Sequence, residues 1–134
     1  MLGGGVPMGP NGLLTVRGRT SGQPRTTPVG VLDVGGRRWL IGAYGDVQWT
    51  RNLRAAGEGT IAVGKKSERI RSVELAPEEA TVFFRDVLAP FIARQPLVLR
   101  LFVRRLLRQP LTDPVGAAGK YPVFELKTDP TGVA

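Results

Sequence analysis

The chain contains neither cysteine nor histidine. Without cysteine there is no disulfide, no thiolate nucleophile and no cysteine-held metal. Without histidine there is no Ser-His-Asp triad, and the commonest general base and metal ligand are missing. No metal site is expected, and if the chain is an enzyme its hard chemistry has to come from a bound cofactor. Long apolar runs are also lacking. The most apolar stretch, Leu97 to Leu107, is interrupted by Arg100, Arg104 and Arg105, too polar to span a bilayer. The first ten residues have neither the basic start nor the apolar core of a secretory leader. A cytoplasmic location is expected, with peripheral attachment to the inner face of the membrane left open.

What is present is 134 residues, 42% hydrophobic, enough for one domain with a true core. The net charge is +8, and fifteen of the 19 basic side chains are arginine. A guanidinium grips phosphate or carboxylate in a two-pronged way that lysine cannot copy. That balance suits a phosphorylated ligand, nucleic acid or an anionic membrane.

Residues 1–12 and 129–134 read as tails around a single domain, 13–128. Strands are predicted at Leu13–Arg17, Thr27–Val34 and Arg38–Ala43, with Gly35-Gly36 as a hairpin turn. A helix over Val47–Ala56 stops at Gly57, and strands follow at Thr60–Lys65 and Glu68–Leu75. Pro77, Glu78 and Glu79 open a helix to about Leu88. A basic helix over Leu97–Leu107 and a closing strand over Tyr121–Lys127 complete the chain. The order β-β-β-α-β-β-α-α-β, with short connections, implies an α+β, mainly β fold: a small barrel of mostly antiparallel strands with inserted helices.

The loop Gly18-Arg19-Thr20-Ser21-Gly22-Gln23-Pro24-Arg25 carries two guanidinium groups, two hydroxyls and two glycines that let the backbone approach a ligand. It is either an anion cradle or a polar surface loop. It is not a Walker A loop, since no GK[ST] follows. Asn52, a poor helix former, either bonds a cofactor or its loop, or ties a helix end to nearby backbone. Trp49 suits a core or pocket wall. Tyr44 and Tyr121 are the only phenols, so they are candidate catalytic proton donors, or else covers for the barrel mouth.

The run Leu14-Thr15-Val16-Arg17-Gly18-Arg19-Thr20-Ser21-Gly22-Gln23-Pro24-Arg25-Thr26-Thr27-Pro28 resembles the signature of the deazaflavin-dependent nitroreductase family. Trp49-x-x-Asn52-Leu53-Arg54-Ala55 and Pro122-Val123-Phe124-Glu125-Leu126 resemble two further family segments. The resemblance implies a split β-barrel of the FMN-binding type. It also implies an oxidoreductase that passes hydride from reduced coenzyme F-420 to an enone, quinone or nitro compound, with FMN as the lesser cofactor alternative. Arg19, Thr20, Ser21, Gln23, Arg25 and Thr27 would grip the cofactor's phosphate and carboxylate tail. Ala43, Tyr44, Gly45, Trp49, Asn52 and Leu53 would lie near its ring. The chain departs from the family pattern at Thr20, where many members have lysine, and in the short Tyr44–Gln48 connection. Those departures keep a second reading open: a non-catalytic carrier of a fatty acid or other apolar ligand.

Between Asp86 and Asp113 the chain has no acidic residue, and Arg100, Arg104, Arg105 and Arg108 fall within about 140° of a helical wheel. Such a helix either meets an anionic membrane or packs as a lid or in a homodimer. Leu and Val, rather than stacking aromatics, separate the arginines, which argues against nucleic acid.

Overall fold

The computed structural model describes residues 11–42, 45–98, 100–101 and 114–128. Strands β1 (Gly12–Arg17), β2 (Pro24–Val29), β3 (Val31–Val34) and β4 (Arg37–Ile41) precede helix α1 (Gln48–Ala56). Then come β5 (Glu58–Val63), β6 (Lys66–Glu74), α2 (Pro77–Val82), a π-helical stretch (Phe83–Leu88), α3 (Ala89–Ala93), α4 (Pro114–Lys120) and β7 (Val123–Thr128). The strands form one sheet in the order β2-β1-β5-β6-β7-β4-β3, and every pairing is antiparallel.

The two edge strands, β2 and β3, are consecutive in sequence and separated only by Gly30. A seven-stranded sheet whose edges are joined by one residue has to curl until those edges adjoin. This is the curled half-barrel, and it corrects the expectation of a single strand over Thr27–Val34. The run is continuous in hydrophobic pattern but changes partner at Gly30, from β1 to β4. A residue without a side chain sits at the corner. Asn11 fastens the joint. Its backbone N–H donates to the Val29 carbonyl at 3.0 Å. Its side-chain amide donates to the Val31 carbonyl at 3.2 Å and accepts the Val31 N–H at 2.8 Å. One amide side chain therefore makes the bonds that a strand neighbour would make. The sequence places Asn11 and Gly12 in a tail; here Gly12 already belongs to β1.

The core has two parts. Leu14, Val16, Val29, Val31, Leu40, Ile61, Ile70, Phe124 and Leu126 fill the inside of the curl, with Leu53 of α1. On the outer side of β3, β4 and β7, Leu32, Trp39 and Val123 pack under Ala80, Phe83, Phe84, Leu88, Ile92 and Ala117. These strands are covered on both faces, so they bury consecutive residues such as Val31-Leu32 and Trp39-Leu40 where a half-covered strand would alternate. The wider π turn lets adjacent Phe83 and Phe84 both face inward, with rings 5.4 Å apart and Phe83 5.2 Å from Trp39.

The helix predicted to end near Leu88 continues to Ala93. α4 was not foreseen, although Pro114 opens it in the way Pro77 opens α2. The closing strand starts at Val123, and Tyr121 instead packs among the helices. Of the basic stretch, residues 97, 98, 100 and 101 are helical, and 102–107 lie outside the described residues. The tails 1–10 and 129–134 lie outside them too. Among the described residues no helix is long and apolar enough to cross a membrane.

Candidate functional site

β1 and β2 are joined by a compact loop. The Gly18 N–H donates to the Gln23 carbonyl at 2.8 Å, and the Gly22 N–H to the Gly18 carbonyl at 2.9 Å. The Ser21 hydroxyl accepts the Gln23 N–H at 3.1 Å. Gly22 has φ +74°, with nothing within 4 Å of where a Cβ would stand, so a ligand can reach the backbone there. Thr20, Ser21, Gln23 and Arg25 are exposed.

Strand register then sorts the side chains. Arg25 pairs with Val16 and Thr27 with Leu14. Both partners are interior residues, so Arg25 and Thr27 belong to the inner face of the barrel. Thr15 and Thr26 lie on the other face, where their hydroxyls meet at 2.8 Å. Among the described residues the Arg25 guanidinium has no hydrogen-bond or ion-pair partner, whereas Arg37, Arg38, Arg51, Arg54 and Arg85 are all paired with acids.

Arg19 behaves differently. Its Nη1 donates to Asn52 Oδ1 at 2.7 Å and to Gln48 Oε1 at 2.9 Å, and its backbone N–H donates to Asn52 Oδ1 at 3.2 Å. Asn52 is 7% exposed, so a loop from one side of the barrel is bonded to a buried amide of α1. Leu53 points into the barrel, and Trp49 packs beside it with its ring 6.2 Å from Phe124.

The chain enters α1 through a tight segment. A Cβ on Gly42 would lie 2.9 Å from the Gly45 carbonyl and 3.0 Å from Pro122, so only glycine fits there. Gly45 has φ +91° and donates its N–H to the Gly42 carbonyl at 2.9 Å. Ala43 and Tyr44 lie outside the described residues. Asp46 takes a hydrogen bond from the buried Thr50 hydroxyl at 2.7 Å, and Arg54 also reaches it. The Thr50 hydroxyl first, then Arg54, holds the Asp46 carboxyl below the usual carboxylate range. Arg54 in turn grips Glu74 of β6 at 2.6 and 2.9 Å. Its guanidinium is pushed further up, chiefly by Glu74 and then by Asp46.

The structure thus gathers Arg19, Gln48 and Asn52 at one junction, with Arg25 and Thr27 on the adjoining strand. Tyr121 is not part of this group. It is 8% exposed in the helix-side cluster, with Lys120 Nζ 5.4 Å from its ring centre, and it lines a cleft of about 430 Å³ with Leu75 and Glu79. Gln48, Asp46, Thr50 and Arg54 were missed in the sequence. An aspartate four residues before a threonine at the start of a helical pattern was the available signal. Among the described residues no group of acids could hold a metal ion.

A family model described as F420H2-dependent quinone reductase matches residues 1–95. The chain belongs to this family. Among solved structures, an F420-H2-dependent reductase, FDR-A, is 21% identical, covers 87% of this chain and 92% of its own, and superposes with TM-score 0.57. An Agrobacterium tumefaciens protein of unknown function, 18% identical, gives TM-score 0.55 over 92% of this chain and 50% of its own. A third, described as a domain-swapped dimer, is 19% identical and gives TM-score 0.52 over 87% of this chain and 78% of its own. At these identities the likeness shows the fold: that of the reductase family's split barrels. No curated protein matches the chain.

Reduced F-420, the family's reductant, has an acidic tail bearing phosphate and carboxylate groups. The donor set of the loop fits such a tail. It offers an uncommitted guanidinium at Arg25, exposed hydroxyls at Thr20 and Ser21, and open backbone at Gly22.

Proposed function

We propose that this chain is a reductase that uses reduced coenzyme F-420 to deliver hydride to an electron-poor, apolar small molecule. A quinone is the leading substrate class, ahead of enones and nitro compounds. The observation that carries this reading is Arg25. It is left without an acid partner on the inner face of the barrel, beside a loop whose backbone is open at Gly22. The F-420 ring, when bound, supplies the hydride. Arg25, Thr20, Ser21 and Thr27 hold the acidic tail, and Gln23 shapes the loop. Trp49, half-buried over the packed core at Leu53 and Phe124, offers an apolar surface to the ring beside the loop. With no histidine in the chain, the accompanying proton comes from Tyr44 or from water.

Fluorescence titration of the purified protein with F-420 tests the reading. Binding in the micromolar range, followed by quinone-dependent oxidation of the reduced cofactor, is the expected outcome. No binding of F-420, with FMN and haem also silent, would overturn it. A lipid found with the native protein by mass spectrometry, together with no F-420 affinity, would favour the carrier reading.

We further propose that Leu97 to Arg108 meets an anionic membrane. Leu97, Val98 and Leu101 are 60%, 80% and 56% exposed, and the sequence around them is wholly cationic in its charges.

A further inference from the structure

Arg19 is the first arginine of the loop, and although the residue is exposed, one nitrogen of its guanidinium is committed to α1. Nη1 is shared between Asn52 Oδ1 and Gln48 Oε1, and the backbone N–H of the same residue converges on the same Asn52 oxygen. A single acceptor oxygen, on a residue only 7% exposed, therefore fixes both the backbone and the side chain at the start of the loop. Asn52 is itself held. It precedes Leu53, which is fully buried in the barrel, and α1 is pinned to β6 through Arg54 and Glu74. The other end of the loop is held by the ladder of β1 and β2, where Arg25 pairs with Val16, and the Arg25 guanidinium is uncommitted among the described residues.

We infer that Arg19 is a positioning residue: a latch, formed with Asn52 and Gln48, that sets the loop against α1 so that Arg25 meets the ligand's anionic tail. This deepens the F-420 reading and rests on it. Two arginines of one loop then have separate tasks. Thr20 has no charge, so among the described residues Arg25 is the loop cation whose whole guanidinium is without a protein partner.

A double-mutant cycle separates a latch from a direct anion ligand. The variants are Arg19→Ala, Asn52→Ala and the pair, and F-420 affinity is measured by fluorescence. A latch is a single device, so each single variant should weaken binding about tenfold and the pair no more than the worse single. If Arg19 instead touches the anion, its loss still counts when Asn52 is gone, and the effects multiply to about a hundredfold. Asn52→Asp keeps an acceptor oxygen for Arg19 and should retain affinity within about threefold. If it fails as badly as alanine, Asn52 works through its NH2 group and the latch is wrong.

A readout without cofactor keeps the two readings apart. Amide hydrogen exchange at Arg19 and across Gly18–Gln23 should quicken at least tenfold in Asn52→Ala while β5 and β6 stay protected. Unchanged exchange in the loop overturns the latch even if F-420 binds. Faster exchange in a protein that never binds F-420 overturns the function and leaves the latch standing.

Discussion

Replacing Asn11 by alanine should open the joint between the edges of the barrel. The substitution removes two side-chain hydrogen bonds, at 2.8 and 3.2 Å, and leaves the N–H of Val31 facing an empty space. Val31 is only 7% exposed, so water reaches that N–H poorly. An orphaned buried donor costs about 1–3 kcal/mol, and the lost bond to the Val31 carbonyl adds about 1 kcal/mol. A total of about 2–4 kcal/mol is a sizeable part of a typical domain's stability and should lower the thermal midpoint by roughly 10 °C. Urea unfolding should show a lower midpoint with an unchanged slope, because the same surface is still exposed on unfolding. Amide exchange at Val31 should rise out of proportion to β5 and β6, since the loss is local to the joint. The reasoning fails if the variant loses less than about 0.5 kcal/mol, the range of ordinary surface substitutions, and Val31 stays protected.

Three more outcomes are expected. Arg25→Ala should weaken F-420 binding by roughly 1.5–3 kcal/mol with an unchanged melting curve, and Arg25→Lys should recover only part, both read by titration. The Glu125 carboxyl is held low chiefly by its bidentate bond to Arg37, with Lys127 assisting. Its folded value lies below the unfolded value of about 4.3. Its contribution is therefore complete above that pH and is lost as pH falls through the folded value, so Glu125→Gln should flatten the acid limb of a stability–pH curve. Vesicle co-sedimentation should show retention on anionic but not neutral liposomes, with release by salt, and reversal of Arg100, Arg104 and Arg108 to glutamate should abolish it.

The fold was largely legible because its strands are separated by strong turn signals. Gly35-Gly36 stands between strands that pair with each other, and Gly57 and Pro77 mark helix ends by local chemistry alone, whereas the Gly64 turn falls inside the strand expected over Thr60–Lys65. Gly30 was not legible, since what changes there is the partner and not the hydrophobic pattern. The π turn and α4 were missed for a related reason: Phe83-Phe84 and Ala117 are placed by packing in one cluster with Leu32 and Trp39, distant in sequence. At the site, the loop and the Trp49–Ala55 helix stood out by residue type. That Arg19 reaches Asn52, thirty-three positions on, needed the fold. So did the separation of Tyr121 from the loop, because a phenol next to a closing strand can face either side of it.

The position of β7 has a consequence for how the molecule is made. Among the described strands this one comes last, yet it lies between β6 and β4, well inside the sheet. Until it arrives, a nascent chain holds two separate ribbons, β2-β1-β5-β6 and β4-β3, each with an unsatisfied edge. Those edges must wait while roughly fifty residues pass between Glu74 and Phe124, a wait of several seconds at ordinary synthesis rates. Exposed edges of that kind are sticky. The keystone strand is thus also the point at which the protein is most open to pairing with the wrong neighbour, and a truncation before Val123 would leave two half-sheets in place of a weakened barrel.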